Sequence, residues 1–325
     1  MRRLKGLEWV PRATSHMGCL EGCAKYLAME ISPGWLYGCT GHGFLIVAER
    51  DLCPSGPHSW DYFGTVSKLG KNLGLELDVM AAYPGQPDFG QKQEEIWDAV
   101  QRAIGRGFPC YGWHHEFIVI NGYDENGYLL SGPSDAPGVG APGNWQEFGA
   151  SSGPGFVEVV AVKPGVAADD AEAVRDALSF AVQSAQTPGQ GIAAYDNWAS
   201  GLASGEEISD DGVGYHAAIW AECRTFAVAF MEEARRKLGG RCDDLFGQAI
   251  ESYALVRGHL QKVSKRFPPC LAAAAPEGLT QEEARARKGY ARDQRRRNEA
   301  AAFVRKAREA EAAGLRAIEQ IARTI

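Results

Sequence analysis

The chain has 325 residues, 45% hydrophobic and 23% charged, long enough for two domains that each bury a core. A net charge of −7 gives no electrostatic reason to expect nucleic acid or an anionic membrane surface as a partner. No segment approaches the ~18 uninterrupted apolar residues of a membrane span, and no apolar run follows the basic start MRRLKGLEWVPRATSH. A cytoplasmic chain without a secretory signal is therefore expected.

The composition changes near residue 165. Before it, CLEGCAKYLAME (19–30), SWDYFGTVSKLGKNL (59–73) and KQEEIWDAVQRAIGRG (92–107) carry helical patterns, the last with Ile96, Val100 and Ile104 at four-residue steps. Between and after them, GFLIVAER (43–50), LGLELDVMAAY (73–83), FIVINGYD (117–124), GYLLSG (127–132) and FVEVVAVKPG (156–165) read as strands. Asn126-Gly127 predicts a hairpin turn, because both residues take positive φ cheaply. The whole stretch 109–133 reads as a strand, a tight turn and a second strand, with His114, His115 and Glu116 at the entrance. This half is α+β.

After KPGVAADD the strands vanish. Amphipathic helices are predicted at 171–185, 191–205, 214–240 and 242–267, then a loop at 268–278. Thr280 with Glu283 has the form of a capping box for a last helix. The arginines at 291–300 alternate with acids and read as a solvated helix face. The expected domains are 1–165, α+β, and 166–325, a helical bundle.

Eight cysteines without an export signal read as reduced thiols. Cys19-x3-Cys23, Cys39 and Cys53 lack the paired short spacings of a zinc knuckle, so neither metal nor cofactor is expected. Cys19 lies at or near a helix start, where backbone N–H groups and the helix dipole favour a thiolate. Packing is the competing reading of this cysteine, and the stronger one for Cys23. A nucleophilic cysteine needs a base within hydrogen-bond reach, and His114 and His115 are the candidates.

A cysteine opening the first helix, then EEIWDAVQRAIGRGFPCYGW and the FIVINGYDENGYLLSGP hairpin, resembles the papain-like cysteine peptidase and acyltransferase superfamily. The likeness is to bacteriocin-processing cysteine peptidases and to the amino-terminal domain of butirosin biosynthesis protein H, and it covers residues 7–163 in order of elements. It implies a papain-like fold followed by a helical region. It also implies hydrolysis or acyl transfer through Cys19 on a small amide, acyl or peptide-like substrate, with an acyl carrier as a donor. Aligned on the hairpin, the family's histidine slot falls on Glu116 and its orienting slot on Gly132. A carboxylate beside the thiol would raise its pKa rather than lower it. Glu116 would instead hold a cationic ligand or act as a general acid/base.

His42 among glycines and the aromatic-bearing segments supply His42, Trp60, Trp113 and Ser131 as ligand-binding candidates. The alternative to an enzyme is thus an inactive relative that binds a small cationic or aromatic ligand in the same cleft. A homo-oligomer through the helical domain is a further expectation.

Overall fold

The computed structural model describes residues 1–133, 138–139, 143–150, 155–269 and 280–325. In chain order these form β1 (Arg2–Arg3), α1 (Ser15–Tyr26), α2 (Pro33–Cys39), α3 (Tyr62–Leu69), β2 (Leu73–Ala82) and α4 (Phe89–Gly105). Strands β3 (Cys110–His114), β4 (Glu116–Tyr123), β5 (Gly127–Ser131), β6 (Gly143–Asn144) and β7 (Val157–Ala167) follow. Six helices complete the chain: α5 (Asp170–Gln186), α6 (Gly191–Ala203), α7 (Asp210–Lys237), α8 (Asp243–Arg266), α9 (Gln281–Lys288) and α10 (Gln294–Thr324). The chain is α+β. Residues 270–278 of the loop expected at 268–278 and part of the segment 131–145 lie outside the described residues.

Two units divide the chain, Met1–Ile31 with Gly74–Ala167, and Ser32–Leu73 with Ala168–Ile325. The change of character expected at 165/166 thus has a counterpart at 167/168, but residues 32–73 group with the helices rather than with the sheet.

The first unit holds one antiparallel sheet in the order β2-β7-β3-β4-β5-β6, with β1 also on β4. Phe117, Ile118, Val119 and Ile120 on β4 are all buried, and both α1 and α4 contact this strand. Each such side chain contributes roughly 1.5–3 kcal/mol of burial. The β4–β5 turn is closed by the Asp124 carboxylate, whose Oδ1 accepts from the backbone N–H of Asn126 at 2.8 Å and of Gly127 at 3.2 Å. An aspartate side chain therefore organises this turn.

Stretch 109–133 differs from its sequence reading. It makes three strands, because the chain reverses at His115 and pairs Trp113 with Phe117 and His114 with Glu116. His114 is consequently a cross-strand neighbour of Glu116, not a residue two steps further along one strand.

The second unit is helical. Ser32, Asp61, Asp169, Ser209, Thr280 and Asp293 each cap a helix with a side-chain oxygen, and Thr280 with Glu283 forms the full capping box. The box starts the short α9, and a 3-10 turn at Gly289–Arg292 separates it from α10, so the expected last helix is two. At the core the Arg224 guanidinium makes two bonds to the Glu311 carboxylate, of 2.8 and 2.9 Å, with neither side chain more than 2% exposed.

The apolar run 43–50 is also not a strand. Arg224 Nη1 donates to the carbonyls of Gly43 (3.0 Å) and Leu45 (2.7 Å), the Gly191 N–H to Ile46 O (3.0 Å) and Asn197 Nδ2 to Ala48 O (3.0 Å). These four carbonyls bond to groups on α6 and α7, and the segment's β-pairing is a single antiparallel bridge between Val47 and Gln190.

Candidate functional site

Helix α1 begins at Ser15, so Cys19 is its fifth residue, one turn inside. Every residue from Ser15 to Ala24 is buried. The reason is the repeat GCLEGC. A β-carbon on Gly18 would lie 2.3 Å from Val10 O, and one on Gly22 2.2 Å from Glu8 O. The two glycines let segment 8–10 lie directly on the helix, and the glycine before Cys19 thus serves packing.

Cys19 itself is 0% exposed. Burial pushes its thiol well up, and Cys23 and Glu116 push it further in the same direction. A helix N-terminus offers a thiolate about 0.3–1 kcal/mol, less than one pKa unit, whereas full burial shifts a group by up to about 3–5 units. Desolvation wins, and the thiol stays protonated.

Glu116, the first residue of β4, is buried and accepts a 2.6 Å hydrogen bond from the Ser15 hydroxyl. The same hydroxyl oxygen accepts from Phe117 N–H at 3.2 Å. Ser15 therefore ties the start of α1 to the start of β4. One turn of helix separates Ser15 from Cys19, which places Cys19 on the same side of α1.

The two candidate bases differ from each other. His115 is exposed at the reversal with φ +65°, in the left-handed region that side chains disfavour. His114 is buried, stacks on Phe148 with ring centroids 5.1 Å apart, and accepts the Gly149 N–H on Nδ1 at 3.0 Å. Burial, then His115, pushes its pKa down to about 4. With Nδ1 engaged as acceptor in a neutral ring, the proton sits on Nε2, and no lone pair remains to take one from a thiol.

His16, one turn before Cys19 along the buried helix, lies 3.0 Å through Nε2 from Tyr111 Oη. Trp113 is half-buried, edge-on to Phe117 at 5.3 Å. Ser131 fastens the N-terminal segment: its hydroxyl donates to Glu8 Oε2 at 2.7 Å and accepts Trp9 N–H at 3.0 Å.

His42 and Trp60 belong to the helical unit, so the eight candidate residues fall into two groups. His42 is buried, meets the edge of Trp60 at 5.0 Å, and is pushed down to about 3, by burial and then by His58. Trp60 lines a cavity of about 470 Å³ between α3 and α5, together with Asp61, Lys68, Asp176, Phe180 and Gln183. Apart from Trp60, the sequence reading missed these. Their signal was present as two helical stripes, 61, 64, 65, 68 and 176, 179, 180, 183, each at steps of three and four.

The seven described cysteines are free thiols. Among the described residues no group of three or more His, Cys, Asp or Glu is placed to hold a metal ion, and no helix is long and apolar enough to cross a membrane. No protein-family model matches the chain, and no curated protein matches its sequence.

Proposed function

We propose that this chain is a small-ligand-binding protein built on a papain-like plan, with its thiol centre held shut. One observation carries the reading: Cys19 is fully buried and its thiol is pushed up by burial, by Cys23 and by Glu116. Acyl transfer or hydrolysis needs a thiolate that a substrate carbonyl can reach. The Ser15–Glu116 bond and the engaged His114 Nδ1 support the same conclusion. The cavity of about 470 Å³ beside Trp60 supports binding as the remaining task.

Iodoacetamide labelling at pH 7 to 9, followed by peptide mass mapping, tests this. Cys53 and Cys242, both partly exposed, are expected to react at least tenfold faster than Cys19. Rapid labelling of Cys19 near neutrality, together with hydrolysis of p-nitrophenyl acetate that Cys19→Ser abolishes, overturns the proposal in favour of a cysteine hydrolase or acyltransferase.

A further inference from the structure

The α3–α5 cavity has a charge pattern that points to a ligand class. At about 470 Å³ it falls within the roughly 300–1,000 Å³ of small-molecule sites. Asn72, which follows α3, donates to Asp176 Oδ2 on α5 at 2.9 Å. The C-terminal end of α3 is therefore anchored at Asp176, and Lys68, one turn before Asn72, lines the same end.

Trp60 and Asp61 stand at the opposite end of α3. Asp61 Oδ1 accepts the Gly64 N–H at 2.9 Å as the helix cap. A β-carbon on Gly64 would lie 2.2 Å from Asp61 Oδ2. Gly64 leaves room for the Asp61 carboxylate over the first turn, where a side chain would push that carboxylate aside. Behind Trp60 stands His42, which is neutral and adds no cation. Among the described lining residues Asp61 and Asp176 are acidic and Lys68 is basic, so acids outnumber bases, and Asp61 stands next to the Trp60 indole.

We propose that the Trp60–Asp61 end of this cavity binds a small organic cation, an amine whose apolar part lies against Trp60 and Phe180. The carboxylate supplies the charge-assisted bond and the indole face attracts the same positive charge. Gln183 offers an amide for hydrogen-bonding groups on the ligand. The assignment rests on the reading of the chain as a binding protein and adds both the site and the ligand class.

Calorimetric titration of the full chain with benzylamine, benzyl alcohol and benzoate, three probes of one shape and different charge, tests it. Benzylamine is expected to bind at least tenfold more tightly than the other two. Asp61→Asn keeps the cap acceptor, and with it the fold, yet is expected to weaken benzylamine about tenfold and benzyl alcohol little. Trp60→Phe is expected to weaken it a few-fold through loss of the larger π face. Equal binding of amine and alcohol, preference for benzoate, no saturable binding of benzylamine, or an unchanged Asp61→Asn variant overturns the assignment. These titrations report on the cavity and Cys19 labelling reports on the thiol, so failure of the ligand assignment is distinguishable from failure of the binding reading on which it rests.

Discussion

The Ser15 hydroxyl donates a 2.6 Å hydrogen bond to the buried Glu116 carboxylate and accepts the Phe117 N–H on the same oxygen. One side chain thereby joins the first helix to the β3–β4 hairpin and satisfies a buried charge. Cys19 lies behind this joint, with the Glu116 charge acting on it.

Ser15→Ala removes both bonds and leaves the buried carboxylate without that donor. A loss of about 2–3 kcal/mol in urea unfolding is expected. Glu116→Gln is expected to cost less, since the amide oxygen still accepts from Ser15. It also removes the third of the three effects that raise the Cys19 thiol while leaving burial, the largest, in place. Cys19 should therefore remain slow to alkylate in this variant. Fast alkylation of Cys19 in Glu116→Gln would show that the carboxylate, not burial, keeps the thiol inactive.

Acid should unfold the helical unit early. His42 is held down to about 3, and His58 and His216 to about 4, burial being the first cause in each. The Cys53 carbonyl, 2.9 Å from His216 Nε2, opposes part of the fall. Folded values below the unfolded value of about 6.5 mean that the unfolded chain binds more protons between about pH 6.5 and 4. Stability is then full above pH 6.5 and declines as the pH drops through that window. Each group contributes at most about 1.4 kcal/mol per pH unit. Unfolding free energy measured at pH 7.5, 6.5 and 5 should fall at the lowest value, by up to about 6 kcal/mol for the three groups together. His58→Gln should flatten the profile. A stability unchanged down to pH 5 contradicts this.

The Arg224–Glu311 pair should be costly to break on one side only. Glu311→Leu strands a guanidinium that is 0% exposed, and a loss of about 3–5 kcal/mol is expected. Arg224→Met with Glu311→Leu removes both charges and should be less damaging than Glu311→Leu alone. A residual loss of about 1–3 kcal/mol per orphaned carbonyl at Gly43 and Leu45 is expected, together with weaker hydrogen-exchange protection across 43–48. A double variant no better than the single one would place the cost in packing rather than in charge.

The legible parts of the sequence were those with a local cause. Four-residue steps such as Ile96, Val100 and Ile104 placed α4, and the run after residue 168 placed α5 to α8 within a few positions. Thr280 with Glu283 announced a cap that the structure contains. In the candidate site, the residue types were visible but their surroundings were not. Cys19 looked like the head of a helix because the four residues before it carry no apolar period; they are nonetheless helical and buried.

By itself the sequence determined the α+β class, the helices after residue 168 and the Thr280 cap, because periods of two and 3.6 residues and side-chain caps act within a few positions. The tertiary structure alone decided that 43–48 is buried outside any strand of the sheet, that His115 reverses the chain and that the Cys19 thiol is pushed well up. Those outcomes depend on partners far away in sequence, such as Arg224, 181 residues from the Gly43 carbonyl it serves, and Glu116, 101 residues from Ser15. Solvent access and the charge beside a thiol arise only when such distant segments meet, and no local pattern encodes them.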